Sequence, residues 1–379
     1  MKKNSIKNSA FTGQSLRAEV NTLHEHGGNL TAAAEKYRLS GEDIIDFSAN
    51  INPLGLPRSV KKNIVRDLKN IVNYPEPQSH ELRKELAGML NLLDENILIG
   101  NGATELIYLI VAALKPERVL IPAPCFSEYE RASKLAGARI RFIKSKKEES
   151  FKPDLEKIIR CLDGTDMLFV CNPCNPTGVT FDRDEIMYLL KECGKNKVTL
   201  VLDEVFIDFA EDAQYLTLLG ETARFSNLLI LRSLTKIYAL PGLRIGYMAG
   251  GGKQIKRIAE YQYPWSVNSM AQLAAKTIIR DSGYVERARR YVFAEREYLF
   301  RALGKINGIK PFRPGANFIF CELGGKKISS GKLEEELGKK GILIRDCSNF
   351  RGLNDKYFRV AVKKRGENRK LVTALREVL

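Results

Sequence analysis

Ser233-Leu234-Thr235-Lys236, with Arg244 eight residues further on in PGLRIGY, sets a primary amine beside two hydroxyls and a guanidinium. A lysine amine condenses with an aldehyde to a Schiff base, and hydroxyls with a guanidinium suit a phosphate dianion. Gly100-Asn101-Gly102-Ala103-Thr104-Glu105 opens an apolar helix. Glycines there let the backbone approach an anion, and free N–H groups at a helix start bind phosphate; a plain strand-to-helix turn capped by Thr104 would need the same residues. Asn172-Pro173-Cys174-Asn175-Pro176-Thr177-Gly178 holds Asn175 in a loop that two prolines keep from continuing a strand. Asp203 closes a Val- and Leu-rich run in LVLDEVFIDF, which predicts a fully buried central strand. A charge there needs a partner, and a protonated pyridine nitrogen is one that would also make the ring an electron sink. Each segment alone reads as an ordinary turn or a solvated group. In order, with 28 residues from Asn175 to Asp203 and 33 from Asp203 to Lys236, they read as one site.

Such a site needs a scaffold that presents loop after loop on one edge. From about Asn50 to about Gly250 short β-branched runs (ILIG, RVLIPAP, DMLFVCNP, VTLVLDEV) alternate with amphipathic helical stretches, the pattern of a mostly parallel sheet covered by helices. The chemistry-bearing residues follow these strands, where open α/β sheets bind ligands. After Pro264 the chain turns to long helices, Ser269 to Leu303, then to the strand-like ANFIFCEL, GILIRDC and YFRVAVK and a final helix, which predicts a smaller α+β domain. The first 45 residues, with a helical TAAAEKYRL, have no sheet of their own and must pack elsewhere. We therefore expect an N-terminal arm at 1–48 packing with the small domain, a large cofactor-binding domain at 49–265 and a small C-terminal domain at 266–379.

A 379-residue chain that is 44% hydrophobic can bury a large core, which excludes disorder as a whole. The longest apolar stretch, Leu106 to Leu114, falls far short of the ~20 residues that span a bilayer. Lys2, Lys3 and Lys7 precede no apolar segment of the kind a secretory signal carries, so a cytoplasmic protein is expected. Seven cysteines without framework spacing suit reduced thiols, and the one CxxC, Cys171 and Cys174, lies far along the chain from His24, His26 and His80; no metal is expected. The formal charge of +16 is dispersed, and its densest runs are interrupted by acids. That favours anionic small molecules over nucleic acid or membrane.

The four segments resemble the fold-type I pyridoxal 5′-phosphate (PLP) enzymes of the class I/II aminotransferase superfamily. The resemblance implies an aspartate-aminotransferase-like α/β large domain with a smaller α+β domain. It makes Lys236 the cofactor-holding lysine, pairs Asp203 with the pyridine nitrogen, gives Asn175 the ring's phenolic oxygen and stacks Phe126 on the ring. The phosphate cup would be Gly102, Ala103, Thr104, Ser233, Thr235 and Arg244, joined by Tyr74 from the partner in a homodimer. Phe206 stands where many relatives have a tyrosine, so that bond to the phenolic oxygen is missing.

The segment HGGNLTAAAEKYRLSGEDIIDFSANINPLGLP is similar to the threonine-phosphate decarboxylases of cobalamin biosynthesis, as are DEVFIDF, LRSLTKIYALPGLRIGY, PWSVN, ILIRDCSNF and YFRVAV. This narrower resemblance implies decarboxylation of O-phospho-L-threonine to (R)-1-aminopropan-2-yl phosphate, with the substrate held by His26, Gly27, Asn50, Asn175, Arg345 and Arg359. Histidinol-phosphate aminotransferases share the cofactor motifs and a phosphorylated amine, but their usual N-terminus lacks HGGN; they are the alternative. Cys174, where asparagine is usual between the prolines, and the extra residues before HGGN are departures that touch no implied catalytic role.

Overall fold

The computed structural model describes residues 26–281, 283–325 and 328–379, so residues 1–25 of the expected arm lie outside the described residues. Thirteen strands occur in chain order among the described residues: β1 (Ile45–Asp46), β2 (Ile97–Gly100), β3 (Arg118–Ala123), β4 (Arg139–Lys144), β5 (Met167–Cys171), β6 (Thr199–Asp203), β7 (Leu228–Ser233), β8 (Gly246–Gly250), β9 (Ile309–Pro311), β10 (Phe318–Leu323), β11 (Ile342–Leu343), β12 (Arg345–Asp346) and β13 (Tyr357–Ala361). Seven form one sheet in the order β2-β8-β7-β6-β5-β3-β4. β8 runs antiparallel to both its neighbours, and the pairs from β7 to β4 are parallel.

The apolar runs read in the sequence are buried on both faces because helices cover both. Alternate residues feed two separate cores: Leu168, Val170, Leu200, Leu202, Leu228 and Ile230 pack on one side, and Met167, Phe169, Val201, Leu229 and Leu231 on the other. This is the two-residue repeat of a strand made visible, and each such side chain contributes about 1.5–3 kcal/mol of burial. A one-residue slip of β6 against β5 would still meet apolar surface. Register is therefore held at the strand ends, where the backbone N–H of Asn172 donates to Asp203 O at 2.8 Å.

The second sheet is antiparallel, ordered β12-β13-β10-β9. β1 and β11 form a separate two-stranded parallel sheet, and Ala361 N donates to Phe47 O at 2.8 Å, which ties the N-terminal chain to β13. The sequence places helix from Ser269 to Leu303, and the structure divides it into Ser269–Ile279 and Tyr284–Leu303. The first of these packs on helices Arg58–Asp67 and His80–Leu90 through Asn63–Thr277, Lys276–Glu81 and Arg280–Glu85 contacts. Leu30–Tyr37 is a helix whose N-cap, Asn29, accepts from Ala32 N at 3.0 Å.

Next to Asp203, Glu204 is fully buried and accepts from Thr217 Oγ1, Leu218 N and Arg232 Nη1, while Arg232 Nη2 donates to Asp208 at 2.6 Å. This network ties β6 to β7, the two strands that carry Asp203 and Ser233. Breaking a buried pair leaves an uncompensated charge, at about 3–5 kcal/mol. Arg232→Met should therefore lose about that much in urea unfolding; a loss below about 1 kcal/mol would show the pair to be dispensable.

Candidate active site

The site is a cleft of about 620 Å³ at the carboxyl ends of the parallel strands, closed on the other side by the second sheet and the N-terminal segment. Every sequence-predicted site residue except Gly102 and Tyr74 lines it. Gly102 lies just behind the lining, and Tyr74 is exposed on another face, beside Trp265 at 4.9 Å between ring centroids.

Asp203 is the last residue of β6 and is 4% exposed. One carboxylate oxygen accepts from Tyr129 Oη at 2.5 Å and the other from Val205 N at 2.9 Å. Burial pushes its carboxyl up to about 6, although both hydrogen bonds pull the other way. A cation entering the cleft against Asp203 would offset that burial and keep it ionised. Tyr129 is itself stacked on Phe169, at 4.9 Å and 9° between planes, so the bond to Asp203 is held rigidly.

Lys236 lies in the short helix Leu234–Ile237 that follows β7. Burial, then the charges of Arg359 and Arg244, push its amine down to about 8. The neutral, nucleophilic form is thus accessible near physiological pH.

One end of the cleft is an anion cradle. Helix Gly102–Leu114 begins there, and its first N–H groups have no carbonyl partner in the helix. Gly102 has φ +77°, and a Cβ there would fall 2.4 Å from Arg244 Nη2, so a side chain would push the guanidinium out of the cradle. Ser233 Oγ and Thr235 Oγ1 lie 2.7 Å apart in the same corner. A guanidinium, two hydroxyls and a helix start are a donor set that suits a phosphate. Between cradle and Asp203 lies room walled by Phe126 and Phe206, the latter packed edge-on against Phe318. The donor set fits a flat phosphorylated ring with a basic nitrogen.

The far end carries different cations. Arg359 in β13 stands directly opposite Arg345 in β12. Arg359 is 5% exposed; it donates to Asn175 Oδ1 and to Ser48 O, and its Nε has no partner among the described residues. The Asn175 amide N–H groups remain as donors to the cleft. Burial, with the charge of Arg345, lowers the Arg359 guanidinium to about 10. Asn50 is buried with its Oδ1 unpartnered, again among the described residues. Gly27 lies flat on the chain, since a Cβ there would sit 2.5 Å from Ser48 O.

The aminotransferase class I and II family matches the chain over residues 42–375. The chain belongs to that family. It is 35% identical over 356 residues to the threonine-phosphate decarboxylase of Salmonella typhimurium, an alignment that covers 93% of this chain and 96% of that protein. The solved structure of the histidinol-phosphate aminotransferase from Clostridium acetobutylicum has a TM-score of 0.81 and 36% identity, over 88% of this chain and 98% of that one. The L-threonine-O-3-phosphate decarboxylase from Porphyromonas gingivalis has a TM-score of 0.79 and 30% identity over the same shares. The fold is the aspartate-aminotransferase-like α/β fold that the motifs imply.

Sequence reasoning missed Tyr129, Glu128, Tyr108 and Arg131, all of which line the cleft. Tyr129 could have been suspected, because it follows Phe126 by one helical turn in FSEYERASKL. Nothing local marks the other three.

With an amine titrating near 8 in place of the ordinary 10.5, capture of pyridoxal by the protein freed of small molecules should climb with pH to about 8 and then level off. Borohydride trapping and peptide mass analysis would locate the adduct on Lys236. A rate still climbing steeply between pH 9 and 10 would contradict the depressed amine.

Proposed function

We propose that this chain is a PLP-dependent decarboxylase that converts O-phospho-L-threonine to (R)-1-aminopropan-2-yl phosphate, a step toward adenosylcobalamin. The observation that carries the reading is the cross-strand pair Arg345 and Arg359, both lining the cleft that holds Lys236. Like charges directly opposite one another destabilise a sheet, so their place beside a buried amine argues for anions that arrive with the substrate. A phosphorylated amino acid brings two, carboxylate and phosphate, and a guanidinium fork suits each. Histidinol phosphate brings one, while the 2-oxoglutarate that completes an aminotransferase cycle brings two carboxylates of its own. The similarity to the Salmonella typhimurium enzyme over 93% of the chain points the same way.

In this reading Lys236 Nζ holds the cofactor covalently, Gly102, Ala103, Thr104, Ser233, Thr235 and Arg244 hold its phosphate, and Phe126 covers one ring face. Asp203 keeps a proton on the ring nitrogen, and Asn175 donates to the phenolic oxygen. Bound PLP supplies an electron sink for the pair left on the substrate Cα when one of its bonds is cut. A Cα bond held upright against that ring would be the one such a sink weakens. Arg345, Arg359, Asn50 and the His26–Gly27 turn fix the substrate's anionic groups, and so decide which Cα bond stands upright. Lys236 Nζ, freed when the substrate amine takes its place on the aldehyde carbon, would return a proton to Cα.

The reading includes a homodimer in which Tyr74 reaches the partner's phosphate cradle. Val65, Leu68, Ile71 and Val72 leave an apolar face on this chain, with Val72 85% and Tyr74 83% exposed, and a second copy would cover it. Sedimentation should give a dimer, and Val72→Asp should weaken it together with cofactor retention. A monomer that keeps full activity would remove Tyr74 from the site.

Reaction and substrate are tested in one tube. O-Phospho-L-threonine should release CO₂ with no 2-oxo acid present, whereas an aminotransferase needs an acceptor to complete its cycle. Unphosphorylated threonine should be poor, since buried donors left unpaired cost about 1–3 kcal/mol each. Faster turnover of histidinol phosphate with 2-oxoglutarate would replace this reading with the aminotransferase.

A further inference from the structure

His26 enters the cleft from the N-terminal segment, and its Nε2 lies 2.9 Å from Glu128 Oε1, 102 residues away. The other oxygen of Glu128 accepts from Tyr108 Oη at 2.5 Å. Glu128 opens helix Glu128–Leu135 and is 3% exposed, while Tyr108 comes from helix Gly102–Leu114. The His26 ring also leans on Phe126, at 5.6 Å and 40°. Arg131 lines the same corner. Three segments distant in the sequence thus meet on one buried carboxylate.

Burying a carboxylate is costly, and an apolar residue of similar size would often stabilise the fold as well or better. Glu128 therefore needs a reason beyond stability. Burial pushes its carboxyl up, but the hydrogen bonds from His26 and Tyr108 outweigh that and hold it below the ordinary value. An ionised Glu128 is acceptor-only, so Tyr108 Oη and His26 Nε2 must both donate to it. That fixes the His26 ring and leaves Nδ1 to the cleft.

We propose that Glu128, braced by Tyr108, is a positioning residue: by accepting from His26 Nε2 it turns Nδ1 toward the substrate, so that Nδ1, once it takes up a second proton with the substrate, donates to an anionic group of a phosphorylated amine. The inference rests on the proposed function for its substrate class but not for its reaction, since decarboxylase and histidinol-phosphate aminotransferase both take a phosphorylated amine. Glu128 has one oxygen on His26 and the other on Tyr108, and it acts through the ring. Its loss should weaken substrate capture and leave the chemical step nearly intact.

The test compares wild type with Glu128→Gln and Tyr108→Phe as PLP-loaded proteins. Glu128→Gln should raise KM for O-phospho-L-threonine on the order of tenfold with kcat within about twofold, and Tyr108→Phe should raise it less. If the wild type turns over histidinol phosphate instead, the decarboxylase reading falls and the same KM split is sought on that substrate. A second readout needs no turnover. The chain has three histidines, so ring ¹⁵N spectra, assigned with His24→Asn and His80→Asn, resolve His26. In the wild type His26 should carry its proton on Nε2, and in Glu128→Gln that preference should be lost. An unchanged ring spectrum in Glu128→Gln would overturn the proposal, as would equal falls in kcat and kcat/KM at unchanged KM.

Discussion

A carboxylate at the end of a fully buried strand is the constraint around which this molecule is organised. Asp203 is placed by β6, flanked by β5 and β7, and left with one hydrogen bond to each oxygen, too few to offset the loss of water. The fold tolerates that charge only by crowding polar support around it. Tyr129 donates from a helix, Val205 from the following turn, and the adjacent Glu204 takes Arg232 and Thr217, so that the strand end stays in place. What remains unmet at Asp203 is a positive partner inside the cleft.

The other groups fall into place because a parallel sheet delivers successive strand ends to the same edge. Gly100, Ala123, Cys171, Asp203 and Ser233 end β2, β3, β5, β6 and β7, and Phe126, Asn175 and Lys236 follow within a few residues of three of them. The cleft is consequently lined from both sides. It brings together a helix start and hydroxyls, the aromatic walls of Phe126 and Phe206, and paired guanidinium groups supplied by the antiparallel sheet.

This geometry sets what could be read in advance. Lys236, Asp203, Asn175 and the Gly102–Thr104 turn were readable because each belongs to a short segment tied to a strand end, and local residue types carry both the turn and the chemistry. The N-terminal segment and the two arginines came only through resemblance. No periodicity tells that Arg345 faces Arg359, because that depends on the register of β12 against β13. Likewise Glu128 and Tyr129 sit on a helix whose buried face is chosen by the sheet beneath it, and His26 meets Glu128 only after both sheets exist. The division of the helical stretch after Ser269 also escaped the pattern, since both pieces are strong amphipathic helices.

The pairing of β1 with β11, with Phe47 bonded to Leu343 and Ala361, has a consequence for how the protein is made. Residues emerging early from the ribosome wait for partners synthesised some three hundred positions later, a contact of very long range that pays its loop-closure entropy late. The seven-stranded sheet, complete by Gly250, can assemble during translation while His26, Asn50 and Arg359 are still apart. A nascent chain could therefore present the strand ends that carry Asp203 and Ser233 well before the second sheet closes the cleft over them, and a ligand bound there at that stage would stabilise the half-made protein by mass action.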